Sequence, residues 1–176
     1  PINHSLSPKL HNYWIKKNNI DAVYEKKQIN KEEMESVISE VRNEKIHGIN
    51  VTVPFKQTII PFLDRLTTDA AEAGSVNTIY KENNKIVGHN TDIEGFELAL
   101  KSINYKLKNK KIFVLGAGGV VSSIIVALRK NGVSKIILAN RTREKAENLK
   151  KIYSDIEIIN WGETTKADLI INATSL

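Results

Sequence analysis

The sequence predicts an α/β protein whose C-terminal part contains a parallel sheet. From residue 111 onward, short apolar stretches alternate with stretches of helical periodicity, the pattern of buried parallel strands joined by crossover helices. A glycine-rich turn joins the first of these strands to the helix that follows it. The first half of the chain also alternates between β-branched runs and helical patterns, so the whole chain is expected to be α/β.

Capping signals and helical spacing predict the first elements. Ser7-Pro8 resembles an N-cap followed by proline at the first helical position, and the helix is expected to run to about Lys17. Loose alternation within residues 21–29 predicts a strand. Asn30 and Glu33 form a capping-box pattern that starts a second helix. The apolar residues of that helix recur at helical spacing: Met34, Val37, Ile38 and Val41.

The next segments predict a strand, a short helix, a hairpin and a longer helix. β-Branched residues over 47–54 predict a strand that ends at its proline, because proline cannot donate to a sheet ladder. A short helix is expected over 56–66. Residues 78–88 predict a hairpin with its turn at Asn83-Asn84. A helix is expected over 92–100, since its first residue is an aspartate, which suits a helix N-terminus.

A polar, lysine-rich stretch over 104–110 predicts the boundary between two domains, residues 1–103 and residues 104–176. Beyond it, parallel strands are expected over 111–115, 135–139, 156–159 and 168–172. Helices are expected from the glycine turn to Asn131-Gly132 and over 142–153.

The composition is that of a folded domain and argues against several classes of protein. Of the 176 residues, 41% are hydrophobic and 26% are charged, close to the averages for globular proteins. The apolar runs are too short to cross a bilayer. The sequence shows no charged segment followed by an apolar one, the pattern of a secretory signal, so none is expected. The absence of cysteine excludes a disulfide framework or a thiolate metal site and fits a reducing cytoplasm.

The net charge of +6 has two interpretations. It would attract anionic ligands such as nucleotide phosphates or nucleic acid, or it reflects lysine-rich helix surfaces that keep the protein soluble. Lysine and glutamate are interspersed along the predicted helices, which favours solubility. Without an aromatic stacking pattern, no nucleic-acid partner is expected. The four histidines lack a shared ligand spacing, so no metal site is expected.

The glycine turn predicts a nucleotide site. Gly116, Ala117, Gly118, Gly119 and Val120 stand between a strand and a helix, where backbone amides and the helix N-terminus can hold a pyrophosphate. Gly116 permits the tight turn and Gly118 lets phosphates approach the backbone. The third position of the usual fingerprint holds a valine, which leaves a plain tight turn as the alternative. The setting predicts a Rossmann-like domain that binds a dinucleotide.

The end of the second parallel strand indicates which dinucleotide. Sites for NAD place a carboxylate there to hold the ribose 2′-hydroxyl, whereas this chain has Asn140, Arg141 and Thr142, with Lys145 close behind. The planar guanidinium of an arginine can donate two charge-assisted hydrogen bonds to a 2′-phosphate. The alternative is that these basic residues are simply the solvent-exposed start of a helix. Their position at the end of the second parallel strand favours a site for NADP.

Polar residues of the first half are candidates for a substrate site. Asn50 and Thr52 alternate along the predicted strand, and Lys56 follows just past the stopping proline, where a lysine facing a cleft can exchange a proton. Taken singly, Lys56 is better explained as an exposed lysine at a helix start. Asn77 and Asp92 are, each by itself, turn or cap residues.

The order of these motifs resembles the shikimate dehydrogenase family from end to end. The motifs are His4-Ser5-Leu6-Ser7-Pro8 with His11-Asn12, the string Asn50 to Lys56, Val76-Asn77-Thr78, Gly88-x-Asn90-Thr91-Asp92, the glycine turn, Asn140-Arg141-Thr142 and Asn172-Ala173-Thr174-Ser175. The resemblance implies that Ser5 and Ser7 bind the substrate carboxylate. It also implies that Lys56 and Asp92 form the catalytic pair.

Further roles follow from the same resemblance. Five residues would line the pocket for the ring hydroxyls of the substrate: Asn50, Thr52, Lys56, Asn77 and Asp92. The segment Asn140 to Thr142 would grip the adenosine 2′-phosphate. The segment that contains Ala173 and Thr174 would approach the nicotinamide. Family members begin with a strand before Pro1 and continue past Leu176, so the chain is expected to lack an N-terminal strand and a C-terminal part.

The family implies a cytoplasmic oxidoreductase that reduces 3-dehydroshikimate to shikimate with NADPH, reversibly, in the biosynthesis of chorismate and aromatic amino acids. It implies small-molecule ligands, no membrane partner, and a monomer or homodimer. Two alternatives stay open. One is a quinate/shikimate dehydrogenase that uses NAD, and the other is a ligand-binding module without catalysis.

Overall fold

A computed structural model describes residues 2–174. The chain forms two compact units, one ending at Val37 and the other beginning at Ile38. Helix α2, Met34–Arg42, continues across that division. No helix among residues 2–174 combines the length and the apolar character that a bilayer crossing requires.

The first unit contains helix α1, Ser7–Lys17. Its N-cap is Leu6, and no side chain caps it, so the predicted cap at Ser7 is wrong by one residue. The predicted strand within residues 21–29 is also wrong. Instead of pairing with a strand, the Tyr24 amide donates to the Asn12 side chain and the Tyr24 carbonyl accepts from it, both at 2.8 Å.

The capping box at Asn30 is confirmed. The Asn30 side chain accepts from the Glu33 amide at 3.1 Å, and the Glu33 carboxylate accepts from the Asn30 amide at 2.8 Å. One 3₁₀ turn, Lys31–Glu33, leads directly into α2. The predicted apolar face of α2 is buried: Met34, Val37, Ile38 and Val41.

A mixed four-stranded sheet follows in the second unit. Its strands are β1, Gly48–Asn50; β2, Arg65–Leu66; β3, Thr78–Glu82; and β4, Lys85–His89. Their order is β1-β3-β4-β2, with β2 parallel to β4 and the other pairs antiparallel. The predicted hairpin is confirmed, and its turn residues Asn83 and Asn84 have φ of 49° and 60°, which asparagine tolerates.

Two predictions before the hairpin are wrong in extent. The strand expected over 47–54 ends at Asn50, because the Phe55 amide bonds to the Thr52 carbonyl at 2.9 Å and turns the chain. The helix expected over 56–66 is replaced by turns, a 3₁₀ turn at Ile60–Phe62 and strand β2. The 3₁₀ turn contains a proline, which has no amide hydrogen for a regular helix.

Helix α3, Thr68–Ala73, was not predicted. It is short, but its signals are in the sequence: the Thr67 hydroxyl accepts from the Ala70 amide, and Gly74 ends the helix with φ of 55°. Helix α4, Asp92–Ser102, agrees with the prediction. The connection from α4 to the next strand contains the predicted domain boundary, which stays a prediction.

A second four-stranded sheet is parallel throughout, as predicted. Its strands are β5, Lys111–Leu115; β6, Lys135–Ala139; β7, Glu157–Ile158; and β8, Leu169–Asn172. The order is β7-β6-β5-β8. Helix α5, Val121–Lys130, joins β5 to β6, and helix α6, Arg143–Ile152, joins β6 to β7.

The main core of the second unit lies between this parallel sheet and its helices. Eight consecutive residues of α5, from Val121 to Leu128, are buried. The six apolar residues among them belong to one cluster with Ile112, Val114, Ile136 and Leu138 of β5 and β6. Phe113 and Ile137 pack on the opposite face of the sheet. Helix α5 is therefore fixed along its length, and the glycine turn before it has a rigid support.

Candidate active site

Lys56 and Asp92 form the centre of the site. Lys56 Nζ lies 2.6 Å from Asp92 Oδ2, although the two residues are 36 positions apart in the chain. Their side chains are 16% and 24% exposed, so the pair is partly shielded from water yet open to a ligand. An ammonium has three donors, and a single carboxylate oxygen occupies one of them. The other donors of Lys56 can bond to a ligand oxygen.

Asn77 holds the Asp92 carboxylate from the other side. Its Nδ2 donates to Asp92 Oδ1 and to Thr91 Oγ1, both at 2.9 Å. Its Oδ1 accepts from the Thr91 amide at 2.9 Å and from the Thr78 hydroxyl at 3.0 Å. Both oxygens of Asp92 are thus engaged, one by Asn77 and one by Lys56. The carboxylate is fixed in rotation.

The backbone explains why these side chains meet. Asn77 precedes β3 and Asp92 begins α4 just after β4, and the start of β3 lies beside the end of β4 because the two strands are antiparallel. The Val76 amide donates to the Lys56 carbonyl at 2.8 Å, which ties the lysine to the same end of the sheet. The adjoining ends of β3 and β4 therefore position Asn77 and Asp92, and a backbone hydrogen bond from Val76 holds Lys56 near them.

Asn50 and Thr52 have different positions relative to this centre. Asn50, at the end of β1, donates to Thr78 Oγ1 at 3.1 Å and to the Asn77 carbonyl at 3.3 Å. It is therefore part of the Asn77 network. Thr52 is exposed and lies in the turn beyond β1. The substrate contacts expected of Asn50 and Thr52 stay predictions.

Ser5 and Ser7 lie at the start of α1 in the first unit. The Ser7 amide donates to Ser5 Oγ at 3.3 Å. Tyr24 is their unexpected neighbour: burial raises the pKa of its phenol, and a hydrogen bond with the Ser7 side chain partly offsets the rise. The His11 ring stacks on the Tyr24 ring, with 4.3 Å between centroids. The hydroxyls of Ser5, Ser7 and Tyr24 and the imidazole of His11 are thus gathered near the beginning of this helix.

The glycine turn requires glycine at its first position. Gly116 has φ of 111°, and a β-carbon there would lie 2.7 Å from the Ala173 carbonyl oxygen and 3.1 Å from the Thr174 amide nitrogen. The backbone segments that follow β5 and β8 are therefore in van der Waals contact at Gly116. Gly118 and Gly119 are exposed and meet little, so their backbone is accessible to a phosphate.

The segment after β6 presents cations to the same end of the parallel sheet. Asn140 Nδ2 donates to the Thr142 carbonyl at 2.7 Å, which shapes the turn into α6. Arg141, Thr142 and Lys145 are exposed. The next arginine, Arg143, is already paired with Glu147 at 3.0 Å. Arg141, by contrast, forms no salt bridge with another of the described residues.

The segment after β8 is shaped by Asn172. Its Oδ1 accepts from the Thr174 amide at 3.0 Å and from the Thr174 hydroxyl at 2.7 Å. Ala173 is tied to β5 through its amide, which donates to the Leu115 carbonyl at 2.8 Å. Ser175, the last residue of this motif, lies outside the described residues. The nucleotide residues predicted from the sequence therefore come from the ends of β5, β6 and β8, where a parallel sheet binds its ligands.

Sequence reasoning missed several residues of the site. Tyr24, Thr78 and Thr91 appeared only as parts of strands or motifs, yet each contacts a predicted site residue. Asn90 was a motif residue without a role, and it proves to be buried next to Asp92. Threonines and asparagines directly beside a candidate acid are the signal that would have found Thr91 and Asn90.

Within residues 2–174, no cluster of three or more carboxylates and imidazoles is arranged to hold a metal ion. The functional groups present are an ammonium paired with a carboxylate, a network of amides and hydroxyls, and a glycine turn with nearby cations. Such a set can exchange a proton with an alcohol or ketone and can hold a dinucleotide phosphate.

Two family models match the chain. The model described as the shikimate dehydrogenase substrate binding domain matches residues 1–79, and that described as shikimate / quinate 5-dehydrogenase matches residues 97–176. Shikimate dehydrogenase (NADP(+)) of Pelagibacter ubique is 61% identical, with 100% of this chain and 66% of the relative aligned. The enzyme of the same name from Nitrosopumilus maritimus is 38% identical, with 100% and 67% aligned.

Solved structures agree with this likeness. Shikimate dehydrogenase of Aquifex aeolicus superposes with a TM-score of 0.91 at 45% identity, covering 99% of this chain and 66% of its own. Shikimate 5-dehydrogenase of Thermus thermophilus, in complex with NADP(H) and shikimate, gives 0.88 at 32% identity, covering 99% and 65%. That of Listeria monocytogenes, in complex with shikimate and NAD, gives 0.87 at 32%, with the same coverage. The chain thus spans about two thirds of the length of these relatives.

Proposed function

The chain belongs to the shikimate dehydrogenase family, and from that premise we propose that its protein interconverts 3-dehydroshikimate and shikimate with NADP. The observation that carries the proposal is the Lys56–Asp92 pair, 2.6 Å apart and held by Asn77. Reduction of a ketone to an alcohol needs one proton donor beside the oxygen, and a lysine braced by a carboxylate supplies one.

When bound, NADPH supplies the hydride that is added to the ketone carbon. Lys56 gives a proton from its ammonium to the oxygen of that carbon as the carbonyl becomes an alcohol. In the reverse direction the neutral amine takes the proton from the alcohol. Asp92 keeps the amine in place through its contact with Nζ, and Asn77 keeps Asp92 in place. The protein thus contributes orientation and one proton transfer, each of which accelerates the reaction.

The same proposal assigns the remaining predicted residues. Asn50 and Thr52 join Lys56, Asn77 and Asp92 around the ring hydroxyls of the substrate, because these side chains offer donors and acceptors for hydroxyls. Ser5 and Ser7 would donate hydrogen bonds to the substrate carboxylate. The likeness of residues 1–79 to a substrate binding domain supports this assignment. We place the boundary of the substrate and nucleotide domains at residue 104.

The nucleotide residues fit NADP. Gly116 has no room for a β-carbon, which lets the turn stay close to the segment after β8, and Gly118 and Gly119 present an open backbone to a pyrophosphate. Gly116, Ala117, Gly118, Gly119 and Val120 would hold the pyrophosphate. Asn140, Arg141, Thr142 and Lys145 would hold the adenosine 2′-phosphate. Ala173 and Thr174 would lie toward the nicotinamide.

A second candidate is a quinate/shikimate dehydrogenase that uses NAD. The relative from Listeria monocytogenes crystallised with shikimate and NAD, and the matching C-terminal family model is described for shikimate and quinate alike. The exposed Arg141 favours NADP, because a 2′-phosphate gives its guanidinium a charged partner that NAD lacks.

The test is a set of four steady-state assays on the complete gene product: shikimate or quinate, each with NADP or NAD, followed by the absorbance of the reduced cofactor. The proposal predicts the highest kcat/KM for shikimate with NADP. A higher kcat/KM for quinate with NAD would favour the second candidate. Binding of shikimate and NADP without turnover would contradict both and indicate a ligand-binding module.

A further inference from the structure

Asn90 is a buried amide whose four hydrogen-bonding positions are all used. The residue has 0% exposure. Its Nδ2 donates to the Ser75 carbonyl and to Ser123 Oγ, both at 2.9 Å. Its Oδ1 accepts from the amides of Asp92 and Ile93, at 3.0 Å and 3.4 Å. The two groups that accept from Asn90 lie on one side of its side-chain amide, and the two amides that donate to it lie on the other. Exchanging its oxygen and nitrogen by a half turn would break these bonds, so the side chain has one orientation.

The acceptor side of Asn90 belongs to the active site. The Asp92 and Ile93 amides are the first amides of α4, which have no acceptor within their own helix. By bonding both, Asn90 fixes where α4 begins and therefore where Asp92 stands. Asn77 and Lys56 fix the carboxylate of Asp92, whereas Asn90 fixes its backbone.

The donor side of Asn90 reaches the helix that follows the glycine turn. Ser123 is the third residue of α5 and has 0% exposure. The residues after it, from Ile124 to Leu128, are all apolar and buried. A hydroxyl in such surroundings costs free energy unless it is paired, and its partner here is Asn90.

Resting on the proposed function, we propose that Ser123 and Asn90 form a buried link that positions Asp92 and connects the catalytic pair to the nucleotide turn. Asn90 is a positioning residue, since it acts through the backbone of Asp92. Ser123 is the support of Asn90 on α5. A shift of the N-terminal turn of α5 is transmitted through two hydrogen bonds to the carboxylate that braces Lys56.

The central variant is Ser123→Ala. It leaves one donor of Asn90 buried without an acceptor, which drives the amide to tilt or rotate and weakens its hold on the Asp92 and Ile93 amides. We expect kcat for shikimate oxidation to fall about tenfold, with KM for shikimate changing less than about twofold. The selective loss in kcat arises because the binding groups remain while the proton-transfer geometry is loosened.

Two further variants separate positioning from packing. Ser122→Ala is the matched control, because Ser122 is the adjacent residue of the same helix and is 4% exposed. It should retain the kcat of the unchanged protein. Ser123→Thr restores the hydroxyl and should recover kcat even if its extra methyl lowers Tm. Equal losses of kcat in the alanine and threonine variants would assign the effect to packing and overturn the proposal.

A structural measurement makes the link testable without activity. Amide hydrogen exchange at Asp92 and Ile93 should become about tenfold faster in Ser123→Ala and stay unchanged in Ser122→Ala. Unchanged exchange at both amides would overturn the link, even in an active enzyme. If the unchanged protein fails to turn over shikimate, the proposed function fails, and the exchange rates alone still decide on the link.

Discussion

Asn77→Ala tests whether the amide that braces Asp92 is important for catalysis. In the structure, Asn77 Nδ2 lies 2.9 Å from Asp92 Oδ1, and its own Oδ1 accepts from the Thr91 amide at 2.9 Å. Alanine removes these two contacts and those with the Thr91 and Thr78 hydroxyls, and it leaves one oxygen of the Asp92 carboxylate unbraced. Lys56 then becomes the remaining hydrogen-bond partner of that carboxylate among those described above.

The size of the effect follows from the charge of the acceptor. A hydrogen bond to a charged group contributes about 1.5–3 kcal/mol, which corresponds to about 10- to 100-fold in kcat/KM when it is needed in the transition state. The bonds with the Thr91 amide, the Thr91 hydroxyl and the Thr78 hydroxyl join neutral groups, and their loss should lower the free energy of unfolding by about 1 kcal/mol each. A loss of stability should therefore accompany the fall in kcat/KM, and both are measured.

The assay compares Asn77→Ala with the unchanged gene product, using shikimate and NADP for kcat/KM and urea unfolding for stability. Asn43→Ala is a suitable control, since Asn43 is an exposed asparagine that bonds to Ser39 near the end of α2. A kcat/KM within about twofold of the unchanged protein would refute the reasoning. So would an equal loss in the Asn43 variant.

Three further changes probe the nucleotide site and the fold. Arg141→Ala should raise KM for NADP about 10- to 100-fold and leave KM for NAD nearly unchanged, because only NADP has a 2′-phosphate; equal effects on both cofactors would count against that contact. Gly116→Ala should lower the free energy of unfolding by about 3 kcal/mol or more, since its φ is 111° and its β-carbon would lie 2.7 Å from the Ala173 oxygen; unaltered urea unfolding would disprove this. Hydrogen bonds from Arg42 hold the pKa of Asp64 below its usual range, so the stabilisation is present above the ordinary carboxyl pKa and is lost as pH falls through the lowered value. Asp64→Asn should therefore lower Tm at neutral pH and make Tm fall less steeply in acid, and an unchanged acid slope would argue against it.

The parallel sheet could be predicted because each of its strands is a short, mostly apolar run that is recognisable in the sequence. Strand β5 matches the predicted range residue for residue, and its five residues form a short run of mostly apolar side chains before glycine. The hairpin turn at Asn83 was equally clear, since asparagine accepts positive φ. In both cases the local signal and the tertiary environment agree.

The errors came where tertiary contacts replace local signals. Tyr24 reads as part of a strand, but the Asn12 side chain satisfies its backbone, so no neighbouring strand is needed. The run after Asn50 is β-branched, yet the turn at Thr52 ends the strand early. These outcomes depend on partners distant in sequence or on a turn that residue preference does not reveal.

In the candidate site, too, local signals could be predicted from the sequence and tertiary contacts could not. Lys56 and Asp92 could be named from motifs, but their 2.6 Å contact depends on how two strand ends meet. The link from Asn90 to Ser123 had no sequence signal at all, because a serine within an apolar helix does not indicate its partner. Motifs identify the reacting groups, and the fold identifies the residues that hold them.

The most direct test of the account is the turnover number of Lys56→Ala with shikimate and NADP, with Lys81→Ala as the control. Lys81 is a lysine of β3 paired with Glu44 at 2.7 Å, away from the Asp92 network. Loss of the proton-transfer group predicts a fall in kcat of about 10²–10⁴-fold in the Lys56 variant, with KM changing modestly and the control unaffected. A Lys56→Ala enzyme that keeps near-normal kcat would contradict the assignment of the lysine as the proton donor and acceptor.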